Sequence, residues 1–291
     1  MLIDYLSNSI VQGGKAPVFG TPADVGLDHD DVEFEASDGV ILRGWLIHGG
    51  ADKIVVQSHF GVQCSRSGYT PEGKRRPLMW GSRIPFLRHM RWLVDAGYSV
   101  LAYDFRNHGA SDVGTCEWVT WGPEERKDVL AAVDYIGAHP VHSTSSIGLL
   151  SICMGAASST YAFGEPGGLA TNDRIRAMIA VQPLRYADFL AALHLDNFVG
   201  RRVTRRNNER TNMDLEAVSF MDDVAAINVP TLLVQNANDE YLDRRSIEEF
   251  YDALRVEKEM MWLDLGTKRA AGYHHLTQHP EQILSFFDRY L

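Results

Sequence analysis

The chain has few cysteines, no long apolar run and no surplus of positive charge. Three cysteines in 291 residues, Cys64, Cys116 and Cys153, are too few and too scattered for a disulfide framework, and no Cys/His spacing resembles a zinc site. No run of about 18 apolar residues could span a bilayer, and no basic leader followed by an apolar run opens the chain. We therefore expect reduced thiols, no metal or organic cofactor, and a cytoplasmic protein.

The charge balance restricts the classes of partner. A formal net charge of -10 disfavours nucleic acid and anionic membranes as general partners. The apolar fraction of 45% and the charged fraction of 23% are ordinary for a globular chain. A length of 291 residues suits one large domain or one domain with an insertion.

Short apolar runs alternate with stretches of helical spacing along most of the chain. Strands that alternate with helices form parallel sheets covered on both faces, so we predict an α/β fold with a mainly parallel sheet. No element is predicted for residues 1 to about 30, and residues 63–82 are predicted to form a long loop because Gly and Pro interrupt them. The predicted strands are 32–35, 40–47, 54–58, 98–103, 147–150, 175–181, 229–234 and 260–263, and the predicted helices are 84–96, 124–136, 246–254 and 281–290.

Residues 184–228 interrupt this alternation with helix-like, charge-rich sequence between two strands. We predict a helical cap insertion there, on a core formed by residues 1–183 and 229–291. Five arginines fall between Arg201 and Arg210. Helical spacing would place Arg201 and Arg205 on one side of a helix, where they could hold the carboxylate or phosphate of an acidic substrate. The alternative is a solvated helix face.

The stretch from Ser145 to Ser159 contains the candidate nucleophile. A short apolar run is followed by Cys153 and then by small residues, which predicts a buried strand that turns sharply into a helix. A side chain on such a turn needs small residues two places before and two places after it, and Ser151 and Gly155 fill those places. The alternative is that Cys153 is an inert, small apolar side chain.

With two further features, this elbow makes the chain resemble the α/β-hydrolase superfamily over nearly its whole length. The other features are Asp104-x-Arg106-x-x-Gly109-x-Ser111 after one strand and the insertion before the last two strands. The resemblance implies the α/β-hydrolase fold, an enzyme of the esterase, thioesterase or lactonase type, and a structural role for the Asp104 motif. At the elbow alone the chain also resembles dienelactone hydrolases and polyhydroxyalkanoate synthases, which carry a cysteine there.

The resemblance also implies a triad in the order nucleophile, acid, histidine. The acid is expected after the strand that follows the cap, where Asp239 stands, with Glu240 and Asp243 as nearby competitors. The base is expected after the last strand, where His274 and His275 stand. Because the family usually leaves a longer gap between its histidine and the following Pro-Glu, His274 is the nearer fit and His275 the alternative.

An oxyanion hole of two backbone N–H donors belongs to the same expectation. The residue after the nucleophile supplies the N–H of Met154, and the loop after the third strand supplies that of Phe60 or Gly61. A positive imidazole and a helix N-terminus would stabilise the thiolate of Cys153, and Asp239 would hold the imidazole in one tautomer.

Thiolates attack thioesters, lactones and activated esters well and unactivated amides poorly. The leading hypothesis is therefore a hydrolase that cleaves a thioester, lactone or ester of a small acid through an acyl-enzyme on Cys153. The second is an acyltransferase or cyclase on the same elbow. The third is a non-covalent ligand-binding protein or isomerase of this fold, with an inert Cys153. The first two imply a small-molecule acyl substrate.

Overall fold

The computed structural model describes residues 1–14, 16–72, 80–195 and 197–291. The described strands are β1 (His29–Glu35), β2 (Ile41–Ile47), β3 (Lys53–Ser58), β4 (Gly68–Tyr69), β5 (Ile84–Pro85), β6 (Ser99–Tyr103), β7 (Ser146–Ile152), β8 (Ile175–Val181), β9 (Thr231–Asn236) and β10 (Lys258–Leu263). The α-helices are α1 (Leu2–Val11), α2 (Leu87–Asp95), α3 (Arg126–Ala138), α4 (Met154–Gly164), α5 (Tyr186–Ala192), α6 (Phe198–Thr211), α7 (Arg244–Ala253), α8 (Arg269–Gln278) and α9 (Glu281–Tyr290). Short 3₁₀ turns cover Pro22–Val25, Leu169–Thr171 and Phe220–Ala226.

The main sheet runs in the order β1-β2-β6-β3-β7-β8-β9-β10. β1 pairs antiparallel with β2, and β2 pairs antiparallel with β6. From β6 to β10 the neighbouring strands are parallel. The carboxyl ends of β3, β7, β8, β9 and β10 therefore share one edge of the sheet, which is where ligands bind in such folds.

Buried apolar side chains of the central strands alternate between the two faces of the sheet. In β3, Ile54 and Val56 join the cluster on one face, and Val55 joins the cluster on the other. Helices α3, α4 and α7 complete the first cluster, and α2, α8 and α9 complete the second. The predicted mainly parallel sheet covered on both faces is confirmed. Within the described ranges, no helix is both long and apolar enough to cross a membrane.

The chain between β8 and β9 folds into α5, α6 and a 3₁₀ turn. α6 packs against α1, and together with α5 these helices enclose a third apolar cluster that includes Ile10, Phe189 and Val203. The 3₁₀ turn Phe220–Ala226 does not join this third cluster, because Phe220 and Val224 pack into the first cluster on the main sheet. The prediction of no element in the first 30 residues was wrong, because α1 lies there. This short helix depends on its packing against α6, which the sequence pattern does not reveal.

The predicted loop 63–82 is described in part. β4 lies within this predicted loop and β5 follows it. The two strands pair antiparallel, Gly68 with Pro85 and Tyr69 with Ile84, and form a small ribbon. Residues 73–79 of the predicted loop lie outside the described residues.

The Asp104 motif holds the loop after β6. The buried Asp104 carboxylate accepts hydrogen bonds from the N–H of Arg66 at 2.5 Å, from the Arg66 guanidinium at 2.6 Å and from the N–H of Ala110 at 2.8 Å. The Ser111 hydroxyl donates to the Asp104 carbonyl at 2.6 Å. Arg106 is paired with the buried Asp128. These contacts hold the loop in place and agree with the structural role that the resemblance implies for the Asp104 motif.

His89 gives a testable pH dependence of stability. Its ring is buried on α2 beside Phe86 and Trp92, and neither ring nitrogen has a hydrogen-bond partner among the described residues. Burial lowers the pKa of His89 to about 3 from the usual 6.5. Between these values the unfolded chain binds the proton and the folded chain does not, so the free energy of unfolding falls as the pH drops below 6.5, by about 1.4 kcal/mol per pH unit.

We expect His89→Phe to remove this contribution. On going from pH 7.5 to pH 5, the wild type should lose about 2 kcal/mol more of its unfolding free energy than the variant. Urea denaturation at the two pH values measures both losses. Equal losses in the two proteins would show that His89 does not carry the effect.

Candidate active site

Cys153 stands on a sharp turn between β7 and α4. Its φ of 54° lies in the left-handed region, which is costly for a residue with a Cβ. The turn requires a small residue at Gly155, because a Cβ there would lie 2.4 Å from the carbonyl oxygen of Ser58. The hydroxyl of Ser151 is used within the fold, in a 2.8 Å hydrogen bond with Ser159. The predicted strand-to-helix elbow therefore forms, with a half-buried Cys153 side chain at its tip.

The elbow opens into a cavity of about 460 Å³. The aromatic residues that line it come from four parts of the chain: Phe60, Trp80, Trp121 and Phe189. The mostly apolar wall of this cavity suits a hydrocarbon group.

The polar residues of the cavity wall are few. They are Ser9 from α1, Cys153 from the elbow, Tyr241 after β9, and Arg269 and Tyr273 from α8. Among the described residues, no group of three or more His, Cys, Asp or Glu side chains is placed to hold a metal ion.

Two backbone N–H groups beside Cys153 are candidates for an oxyanion hole. Met154 is the first residue of α4, and Gly61 adjoins it, because a Cβ on Gly61 would lie 3.3 Å from the Cβ of Met154. Neither N–H donates to another group among the described residues. Both residues also line the cavity.

His59 fixes the orientation of the peptide between Phe60 and Gly61. Its Nε2 accepts the N–H of Phe105 at 3.1 Å, so Nδ1 carries the proton and donates to the Phe60 carbonyl at 2.7 Å. Burial lowers the pKa of His59 to about 3, which keeps the ring neutral. Since C=O and N–H of a trans peptide point in opposite directions, the Gly61 N–H is held pointing away from His59.

Asp239 lies after β9, at the predicted position of the acid, and its partner is an arginine. Its Oδ2 accepts hydrogen bonds from the guanidinium of Arg269 and, at 3.0 Å, from the amide of Gln235. Its Oδ1 accepts the N–H of Tyr241 at 3.0 Å. Arg269 is 1% exposed, so Asp239 neutralises a fully buried cation.

Arg269 and Tyr273 lie four residues apart on α8 and share the face that meets the cavity. The Arg269 Nε donates to the Tyr273 hydroxyl at 2.9 Å, and its Nη2 donates to the carbonyl of Gln182. The negative charge of Asp239 raises the pKa of Arg269 against the opposing effect of burial, and interaction with Cys153 adds to the rise. Burial raises the pKa of Tyr273 well above its ordinary value, and interaction with Cys153 adds to this shift as well.

Comparison with known proteins accounts for this arrangement of elbow, cavity and sheet edge. The model of the alpha/beta hydrolase family matches residues 46–285, which is most of the chain. The chain belongs to the α/β-hydrolase family. Membership makes it an enzyme of the α/β-hydrolase type.

Three relatives of this α/β hydrolase differ in their described activities. Polyketide transferase af380 of Aspergillus fumigatus is 26% identical over 172 residues, which are 56% of this chain and 48% of that protein. Polyketide transferase grgF of Penicillium sp is 26% identical over 167 residues, which are 54% and 46% of the two chains. This chain therefore spans about half the length of the curated relatives it matches. The esterase Pf2001 of Pyrococcus furiosus has a TM-score of 0.70 at 23% identity, with 96% of this chain and 98% of that chain covered, which shows the same fold.

The two predicted histidines of this α/β hydrolase do not line the described cavity. His274 and His275 directly follow Tyr273 on α8, so their side chains are rotated from Tyr273 by about 100° and 200° around the helix axis. His274 shares a hydrogen bond of 3.3 Å with the hydroxyl of Ser82, and His275 stacks on His279 at 4.3 Å. No helix was predicted here, and α8 turns both imidazoles away from the face that carries Tyr273.

The arginines of α6 are also placed away from the cavity. Arg201 and Arg205 are exposed, and neither lines the cavity that contains Cys153. Arg206 pairs with Asp4 of α1 at 3.1 Å, and Arg210 lies over the ring of Trp118 at 4.1 Å. The structure therefore does not bring Arg201 and Arg205 together with the elbow, and their arrangement agrees with the alternative of a solvated face.

Sequence reasoning missed Arg269 and Tyr273 in this α/β hydrolase. One signal pointed towards Tyr273. The family usually leaves more residues between its histidine and the following Pro-Glu than lie between His274 and Pro280. Tyr273 is one residue further from Pro280 and fits that longer gap better. No pattern in the sequence pointed to Arg269, since arginines are mostly exposed.

Proposed function

We propose that this α/β hydrolase forms an acyl-enzyme on Cys153 by attacking a thioester, lactone or ester of a small acid, and that water then releases the acid. The observation that carries the proposal is the position of Cys153, at a φ of 54° between β7 and α4 and open to the cavity of about 460 Å³. Strained non-glycine residues of this kind cluster at active sites. The cysteine elbow is also the point of resemblance to dienelactone hydrolases.

The surroundings of Cys153 favour each stage of acyl-enzyme formation. Cys153 precedes the first turn of α4, whose free N–H groups and dipole stabilise a negative sulfur. When the thiolate adds to a carbonyl, the oxygen that becomes negative can accept hydrogen bonds from Met154 and Gly61. The Phe60 N–H, the other predicted donor of that loop, is not required in this scheme. The apolar wall accommodates the hydrocarbon part of a small acyl group.

The proposal differs from the predicted Cys-His-Asp triad. It assigns no role to His274 or His275, because neither lines the cavity among the described residues. Asp239 acts on the site through Arg269 and is a positioning residue.

Acyl transfer to an acceptor other than water is the second candidate. The observation that favours it is that two curated relatives, each 26% identical, are named polyketide transferases. The acyl-enzyme on Cys153 would be common to both reactions, and only the second nucleophile would differ.

Trapping the acyl-enzyme tests the proposal. Incubation with the butyryl thioester of N-acetylcysteamine, followed by a rapid acid quench and intact-mass spectrometry, should add one butyryl group to the wild type, and peptide mapping should place it on Cys153. Cys116→Ala, which removes another half-buried thiol, should acquire the same adduct, and Cys153→Ala should acquire none. An adduct that persists in Cys153→Ala, or thioester consumption without any adduct on the wild type, would contradict the acyl-enzyme.

A further inference from the structure

We propose that Arg269 and Tyr273 take the place of the triad histidine, and that the site therefore selects thioesters over alkyl esters. This inference rests on the proposed acyl-enzyme and specifies the class of substrate that supplies the acyl group. In it, Arg269 is a fixed cation that stabilises the Cys153 thiolate, and Tyr273 is a hydrogen-bond donor beside it. Among the described residues that line the site, no imidazole is present to relay protons.

The unused donors of the two side chains support these roles. A guanidinium has five N–H donors, and within the described residues Arg269 uses three, towards Asp239, Tyr273 and Gln182. The Tyr273 hydroxyl accepts from Arg269, and its own proton has no acceptor in the described part of the chain. Tyr273 is 2% exposed and lines the cavity with Cys153, so a buried donor is available there without a partner.

Apart from Cys153, the part of the cavity wall that the structure describes also lacks a proton acceptor at neutral pH. Its titratable groups, among the described residues, are Cys153, Tyr241, Arg269 and Tyr273. Burial raises the pKa of Tyr241 to about 12 and that of Tyr273 well above its ordinary value, so both phenols stay protonated. The Asp239 charge keeps Arg269 protonated. An imidazole can accept and return a proton near neutrality, and neither the two phenols nor Arg269 can.

Once the Cys153 thiol has lost its proton to solvent, a thioester needs no further proton transfer at this site. The Cys153 thiolate adds to the carbonyl carbon, a new C–S bond forms, and the π electron pair moves to oxygen, where Met154 and Gly61 can stabilise it. When the C=O bond re-forms, the original C–S bond breaks and the donor's thiolate leaves with the bonding pair. The charge is minus one before and after the step, and Arg269 can attract it throughout.

An alkyl ester is a poor donor for the same site. Its leaving alkoxide is far more basic than a thiolate and departs readily only if it is protonated. A phenol whose pKa is raised by burial is a much weaker acid than the imidazolium of a triad. Water, the second nucleophile, likewise lacks a base, so we expect deacylation to be slower than acylation and the acyl-enzyme to accumulate.

The first test compares S-ethyl and O-ethyl butyrate on the wild type. We expect the thioester to acylate Cys153 at least about a hundredfold faster, with a burst of about one equivalent of ethanethiol. The small thiol N-acetylcysteine provides the reference ratio, and the enzyme's ratio should lie within about tenfold of it because the site offers no general acid. A ratio near one, with adducts still forming on Cys153, would overturn the inference and leave the acyl-enzyme intact. If neither donor modifies Cys153, the proposed function itself fails.

The second test measures the positive charge at Cys153. The double variant Asp239→Asn/Arg269→Met removes the buried pair together, and we expect the ratio of alkylation rates with anionic iodoacetate and neutral iodoacetamide to fall by about tenfold. Arg205→Met, an exposed arginine off the cavity, should leave the ratio unchanged. A merely structural role would lower both rates together without changing their ratio, and that result would overturn the inference.

Tyr273→Phe covers the case in which the double variant does not fold. It removes one hydroxyl and keeps the Arg269–Asp239 pair, so we expect both alkylation rates to fall severalfold at a constant ratio. Rates equal to those of the wild type would exclude Tyr273 as a donor to the thiolate.

Discussion

Cys153→Ala is expected to lower thioester turnover by about three orders of magnitude or more, with a melting temperature close to that of the wild type. The substitution removes the sulfur that we propose attacks the substrate and keeps the Cβ, so the turn at a φ of 54° and its neighbours are unchanged. The side chain is half-buried at the cavity, and its loss leaves little unfilled core. Steady-state turnover and a thermal melt on the same preparation measure the two effects.

The serine variant tests the same reaction more finely. A hydroxyl needs a base to become a nucleophile, and the described cavity wall offers none, so Cys153→Ser should be as inactive as Cys153→Ala. Cys116→Ala is the control for loss of a thiol and should keep wild-type turnover. Full activity in Cys153→Ala would mean that the reaction does not pass through this residue.

The sheet and the elbow were predictable because their signals are local. Apolar runs between small residues identified the parallel strands, and β8 spans the predicted residues Ile175–Val181. The elbow followed from Ser151 and Gly155, whose small size the turn requires. Such features depend on steric limits within a few residues, and these can be deduced from one sequence.

α8 was not predictable by the same reasoning. It contains Gly272, which lowers helix propensity and is needed because a Cβ there would lie 2.5 Å from the Gln182 side chain. Its inward face carries Arg269, a charge that is buried only because Asp239, distant in sequence, lies opposite. Both features depend on tertiary contacts, so no helix was predicted for this segment and its histidines were assigned to the site.

The environment of the α6 arginines and the N-terminal helix were not predicted, for one common reason. Arg206 and Arg210 both lie within 4 Å of Asp4, and the buried Asn207 accepts a hydrogen bond from Ser7. Because no helix was predicted in the first 30 residues, the contribution of α1 to the charge balance of α6 could not be foreseen. A cluster that looks uncompensated in sequence is partly neutralised by another helix.

The buried pair of Asp239 and Arg269 gives the largest expected effect on stability. Asp239→Asn keeps the shape of the side chain and removes the charge, which leaves Arg269, 1% exposed, without a counter-ion. Removing one partner of a buried ion pair costs about 3–5 kcal/mol, because the remaining charge stays in a poorly polarisable environment. For a chain of this size the melting temperature should fall by roughly 5–15 °C.

Two variants make this expectation specific. Asp112→Asn removes a carboxylate that pairs with Arg43 at 2.6 Å but is 49% exposed, and it should cost at most about 1 kcal/mol. Asp239→Asn/Arg269→Met removes both charges and should recover much of the stability lost in Asp239→Asn, because no buried charge is then unpaired. Differential scanning calorimetry of the wild type, Asp239→Asn, Arg269→Met and the double variant gives the coupling between the two residues, with Asp112→Asn as the exposed control. If Asp239→Asn is no less stable than Asp112→Asn, Asp239 does not neutralise Arg269. The proposal that Arg269 is a fixed cation beside Cys153 then loses its support.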